Sequence, residues 1–134
     1  MTLVVDTSAI MAILLEEPTS EHLARLLADS DDSIISAVTL VEATIVAEAR
    51  LGPAGGSLVQ RVLREAEITV VDVTERTAVD AIDGWRTYGK GRHRAALNLG
   101  DCFTYAMALR RNAPVLCTGG DFAETDVIVQ PGPG

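Results

Sequence analysis

Short, evenly apolar runs alternate along this chain with longer amphipathic segments, and that alternation constrains the fold more than any other feature. The runs are "TLVVD" (2–6), "SIISA" (33–37), "ITVVDV" (68–73) and "APVLCT" (113–118), with "VIV" (127–129) as a fifth. Valine- and isoleucine-rich runs of this length read as strands covered on both faces. Between them the spacing predicts helices. One covers 7–17 and stops at Pro18, and a second covers 19–30 with Thr19 or Ser20 as its cap. A third covers 38–50 and ends at Gly52, and "GPAGG" (52–56) reads as a flexible turn before a fourth. A long amphipathic helix opens at Thr74, and the last covers 98–111. Strand and helix in alternation imply an α/β fold. Its strands are parallel, joined by right-handed crossovers, and helices cover both faces of the sheet. Ligands in such sheets bind beyond the carboxyl ends of the strands. The residues that follow each strand therefore carry the functional question.

Three acids stand at such places and a fourth on a helix. Asp6 ends the first strand and is followed by the hydroxyls Thr7 and Ser8. Asp101 opens the last helix, three residues after Asn98, and Asp121 follows the fourth strand in "TGGDF". Glu42 shares a predicted helix face with Ile45, Val46 and Ala49, which would put a carboxylate among apolar neighbours. Each acid has a local explanation of its own. Asp6 suits a helix cap, and Asp101 suits the positive end of a helix that Asn98 caps. Asp121 suits a turn after two glycines, and the phase of the Glu42 helix is open.

Taken together they point to chemistry. A parallel sheet gathers such positions at one edge, and clustered carboxylates repel unless a cation compensates them. A hard divalent ion takes oxygen ligands, keeps several waters and needs only one or two direct carboxylates. Such a site supports metal-assisted attack of water on a phosphodiester.

Other constellations fail. "GWRTYGKG" approximates a phosphate loop through Gly84, Gly89 and Lys90, but Gly91 replaces the required hydroxyl residue and a helix, not a strand, precedes it. "GGDF" matches a cyclase signature without its second acid. A phosphoacceptor domain would need an acidic pair at the first strand, where this chain has one acid. His22 and His93 have no nucleophile motif to serve, and His22 reads as a surface residue. Cys102 and Cys117 fit no zinc spacing and read as reduced core thiols, although spacing alone leaves a disulfide open. No apolar run reaches the roughly 20 residues a membrane helix needs.

The 134 residues carry 19 acids against 11 bases, a formal charge of -8. Against that background six of the 11 bases fall between Arg86 and Arg111, where Asp101 is the one acid. The loop "RTYGKGRHR" presents Arg86, Lys90, Arg92, His93 and Arg94. Bases beside an acidic site suit a polyanion backbone, and Trp85 or Tyr88 offers a stacking surface for an unpaired base.

The strand end "VVDTSA", the "VE" helix, "KGRH" with "LNLGDCFTYAMA", and "TGGDF" resemble a PIN-domain ribonuclease. More narrowly they resemble a VapC toxin of a type II toxin–antitoxin system, over about Leu3 to Asp126. The resemblance implies a PIN-like three-layer α/β/α sandwich with a central parallel sheet of four to five strands. Chain length suits one domain over 1–130, and the low-complexity end "QPGPG" reads as a flexible tail at 131–134. The family's catalytic acids carry over onto Asp6, Glu42, Asp101 and Asp121, with Asp6 and Asp101 as metal ligands and Thr7 and Ser8 as supporting hydroxyls. The RNA-binding residues are read from the basic loop itself and not from the resemblance: Lys90, Arg92, His93 and Arg94. The implied activity is Mg²⁺- or Mn²⁺-dependent endoribonuclease cleavage of RNA by a cytoplasmic homodimer, neutralised by a VapB-type antitoxin. An apolar groove for that partner is expected around Ile13, Leu14, Leu23 and Leu26. A non-toxic PIN nuclease of RNA maturation and an inactive PIN-fold scaffold are the alternatives. Asp126 is an extra acid that either supports the site or ends a turn.

Overall fold

The computed structural model describes residues 1–131, so most of the expected tail, 132–134, lies outside the described residues. Five parallel strands form one sheet: β1 (Thr2–Val5), β2 (Asp32–Ser36), β3 (Ile68–Val71), β4 (Val115–Leu116) and β5 (Val129–Gln130). Their spatial order is β3-β2-β1-β4-β5. Six helices connect them: α1 (Thr7–Leu14), α2 (Ser20–Asp29), α3 (Ala37–Leu51), α4 (Gly55–Glu65), α5 (Glu75–Tyr88) and α6 (Leu99–Arg111).

The pleat of the central strands divides the core in two. Leu3, Val5, Ile35 and Leu116 pack with α1 to α4 on one face. Val4, Ile34, Val115 and Cys117 pack with α5 and α6 on the other. The apolar runs read as they do because successive side chains enter opposite cores. Each fully buried leucine or isoleucine contributes about 1.5–3 kcal/mol relative to exposure. The expected α/β/α sandwich with five strands is therefore present.

Local details differ from the sequence reading. β4 and β5 are two residues each, because β4 pairs only through Val115 and Leu116 before the chain turns at Thr118. At the sheet edge β3 leaves Thr69 and Val70 exposed. "GPAGG" is a turn only to Ala54. Gly55 begins α4 buried against α3, where a Cβ would stand 2.5 Å from the Ala47 carbonyl. The phase of α3 also departs from expectation. Its buried line is Thr39, Ala43 and Ala47, while Val41 and Ile45 are 58% and 63% exposed. Small residues face inward because α4 lies so close, and that rotation leaves Glu42 half-buried beside the core, not within it.

β1 runs to β2 on one side and lies beside β4 on the other. The chain order thus reverses between β1 and β4, which is where open α/β sheets form their ligand crevice.

Candidate active site

Asp6 leaves β1 at that reversal and caps α1. Its Oδ2 accepts from the Ser8 amide at 3.1 Å and the Ser8 hydroxyl at 2.7 Å, and its Oδ1 accepts from the Thr104 hydroxyl at 3.2 Å. Only 4% of Asp6 is exposed. Burial pushes its pKa above the usual carboxylate value, and the Ser8 and Thr104 bonds oppose that rise. Ser8 also ties the site together, since its hydroxyl accepts from the Thr118 amide beyond β4 at 3.0 Å.

Asp101 is the third residue of α6 and forms a capping box with Asn98. The Asp101 amide donates to Asn98 Oδ1 at 2.8 Å, and Asp101 Oδ2 accepts from the Asn98 amide at 3.1 Å. The same carboxyl is half-buried, and its pKa is pushed up to about 7. Burial is the largest cause, followed on the raising side by the charges of Asp6, Glu42 and Asp121, while the Asn98 amide opposes it. A cap acid alone at a helix N-terminus would be held down. Burial raises it here, and the charges of three sequence-distant carboxylates add to the rise.

Glu42 reaches the cluster from α3. Its Oε1 accepts from the Thr7 hydroxyl at 2.5 Å, and its carboxylate lies against Gly100, where a Cβ would collide with it. Asp121 is exposed at the start of the short 3₁₀ turn Phe122–Glu124 and makes no side-chain cap. Thr7 and Ser8 thus each hold one acid.

Three residues at the site escaped the sequence reading. Gly100 is one, and its signal was a glycine in the first turn of a helix, where propensity disfavours it. Thr104 is another, three residues after Asp101 and so on the same helix face. Thr39, fully buried, lies 3.1 Å from Thr104. Asp126 accepts from the Tyr105 hydroxyl at 2.7 Å.

The donor set is all oxygen and anionic, which fits a hard divalent cation. Among the described residues no three His, Cys, Asp or Glu side chains lie close enough together to hold a metal ion. An ion here would rest on one or two direct carboxylates, with waters completing its shell. Both cysteines are free and buried.

The basic loop is folded onto α5 and α6. The Lys90 amide donates to the Leu97 carbonyl and the Leu97 amide to the Tyr88 carbonyl, each at 3.0 Å. Arg92 lies over the Trp85 ring, 4.2 Å from its centroid. His93 packs edge-on against Tyr88 and accepts the Ala95 amide on Nδ1. Arg94 pairs with Glu124 at 2.6 Å, which brings the loop beside the Asp121 turn. Lys90 is exposed and makes no ion pair among the described residues. Arg110 does not belong to this patch. It grips Asp80 with bonds of 2.9 to 3.1 Å, and nine residues of helix set it roughly 14 Å from Asp101.

The family model that describes a PIN domain matches residues 3–128. Ribonuclease VapC of Mycolicibacterium smegmatis is 43% identical over 125 residues, covering 93% of this chain and 97% of that protein. The chain belongs to the PIN-domain family and, within it, to the VapC ribonucleases. Ribonuclease VapC30 of Mycobacterium tuberculosis is 40% identical, with 93% and 95% covered. Solved VapC structures share the fold at lower identity. Mycobacterium tuberculosis VapC20, a sarcin–ricin loop cleaving toxin, has a TM-score of 0.75 at 17% identity, with 94% of this chain and 96% of that chain covered. VapBC2 of Rickettsia felis, bound to a fragment of its promoter DNA, also has a TM-score of 0.75, at 15% identity with 97% and 98% covered. The expected apolar groove of this VapC-family chain needs one correction, because Leu23 is fully buried in the core. Ile13, Leu14 and Leu26 remain partly open.

Proposed function

We propose that this chain is the endoribonuclease toxin of a type II toxin–antitoxin pair and hydrolyses RNA phosphodiester bonds with the help of Mg²⁺ or Mn²⁺. The observation that carries this reading is that Asp6, Glu42 and Asp101 are drawn to one sheet edge through Thr104, Thr7 and Gly100, in a chain 43% identical to a ribonuclease. Asp6 and Asp101 would hold the cation, with Glu42 and Asp121 on its waters. A bound divalent ion supplies a low-pKa water and stabilises charge developing on the phosphate.

The chain's own residues do the rest. Ser8 and Thr104 fix the Asp6 carboxylate, and Thr7 fixes Glu42. The Asn98 amide favours the ionised form of Asp101, as cation binding requires. Lys90 and Arg92 supply positive charge to the RNA backbone, and Trp85 a face for a base. His93 packs on Tyr88 within the loop, and Arg94 ties the loop to Glu124.

The partners follow from the same reading. Solved relatives include VapBC complexes from Rickettsia felis and Haemophilus influenzae. A VapB-type antitoxin that offers an Arg or Lys to the four acids would neutralise this chain. The working form is a homodimer in the cytoplasm. No helix among the described residues is long and apolar enough to cross a membrane.

The test is cleavage of RNA by the purified protein with Mg²⁺, with Mn²⁺ and with EDTA. Mapping of the cleaved ends and co-expression of the neighbouring small reading frame complete it. Cleavage only with metal, and rescue of growth by the neighbour, are expected. Cleavage undiminished in EDTA would remove the metal mechanism.

A further inference from the structure

Asp6 is held from two sides, and only one of them belongs to the family-like "DTS" segment. Its Oδ2 takes both bonds from Ser8, while its Oδ1 accepts from Thr104 on α6 at 3.2 Å. Thr104 Oγ1 lies in turn 3.1 Å from Thr39 Oγ1 on α3, and both threonines are 0% exposed. A hydroxyl has one proton, and an ionised carboxylate only accepts. Thr104 therefore gives its proton to Asp6, and Thr39 is the donor to Thr104.

The two threonines occupy related places. Thr39 lies three residues before Glu42 on α3, and Thr104 three residues after Asp101 on α6. Each shares a helix face with the acid of its own helix. The chain Thr39–Thr104–Asp6 thus joins α3 and α6, which carry Glu42 and Asp101, to the end of β1. Its two supporting members, Thr39 and Thr104, are neutral groups. A lysine or arginine in place of Thr104 would also bond Asp6, but would cancel the charge that a cation needs.

We infer that Thr104, backed by Thr39, is a positioning residue that orients Asp6 Oδ1 toward the cation and sets the spacing of Asp6 from Glu42 and Asp101. The inference rests on the metal-dependent reading above. Outer-shell partners of ligating carboxylates typically change metal affinity or activity by 10–100-fold when removed.

The test uses the full chain with Thr104→Val, Thr104→Ser, Thr39→Val and the double variant Thr39→Val/Thr104→Val. Mn²⁺ affinity is measured by calorimetry on protein shown to be folded by circular dichroism, and kcat and KM are measured on RNA. Thr104→Val is expected to weaken Mn²⁺ binding by about tenfold or more, and to lower kcat more than it raises KM. Thr104→Ser restores most of the affinity, because the hydroxyl and not the methyl matters. Thr39→Val gives a smaller loss in the same direction. The double variant is no worse than Thr104→Val, since Thr39 acts only through Thr104. The double variant leaves no hydroxyl of the pair without its partner, so it carries the test if Thr104→Val alone does not fold. Folded Thr104→Val, or the folded double variant, with wild-type Mn²⁺ affinity would overturn the inference while leaving the metal reading intact. Wild-type protein that takes up no Mn²⁺ would overturn both.

Discussion

The Glu42 carboxylate fills the space that a side chain at Gly100 would occupy. One acid reaches the site because another helix lacks a side chain there, one residue before Asp101. Gly100→Ala is expected to displace Glu42. The colliding atoms are the end of a flexible side chain, so the fold survives. Alanine also gains up to about 1 kcal/mol of helix propensity over glycine. Thermal melts should show unchanged or higher stability, and cleavage assays a clear loss of activity. A fully active Gly100→Ala protein would mean that Glu42 has no place in the reaction.

Asp101→Asn separates capping from chemistry. Asparagine keeps the shape and removes one charge from a group that three neighbouring acids oppose. The variant should be inactive yet at least as stable as wild type in EDTA. If capping were the whole role of Asp101, the variant would instead lose roughly 0.3–1 kcal/mol and remain active.

The same group gives a pH dependence whose sign is fixed. Its carboxyl titrates near 3.8 when unperturbed and at about 7 in the metal-free fold. The folded state therefore binds more protons between these values, and stability falls as pH rises through the window. Asp6 acts in the same direction. In EDTA the wild-type melting temperature should drop relative to that of Asp101→Asn between pH 4 and pH 7, the window set by those two values. Mg²⁺ should restore it. A constant difference between the two proteins across that range would contradict the raised pKa of Asp101.

Loop substitutions should divide by what each base already touches. Lys90→Ala and Arg92→Ala are expected to reduce the slope of log binding constant against log salt by about 0.7 each for single-stranded RNA. Arg94 is already paired with Glu124, so Arg94→Ala should alter the slope less. Equal slopes for all three variants and wild type would show that the loop does not meet the phosphate backbone.

Neither thiol should react in the native protein. Burial first, and then nearby acids, push Cys102 up to about 11 and Cys117 up to about 12. Thiolate is the reactive form, so a disulfide-exchange reagent should modify both only on unfolding. Rapid native modification of either would place that cysteine at an open surface.

The sequence by itself determined the layer order, because apolar runs without alternation demand a sheet covered on both faces. It also determined three of the acids as positions after strands or at a helix start, and the two helix caps at the site, Asp6 and Asn98, because capping is local chemistry. The orientation of Glu42 was decided only by the tertiary structure. The inward face of α3 depends on how closely α4 packs at Gly55, and no periodicity within α3 records that approach. The pairing of Arg110 with Asp80 and of Arg94 with Glu124 was likewise invisible, since the count of bases between Arg86 and Arg111 ignores the length of the helix that separates them. Thr39 and Thr104 are 65 residues apart in the chain. Their meeting beneath Asp6 follows from the crossing of two helices over one sheet edge, a relationship that exists only once the chain has folded.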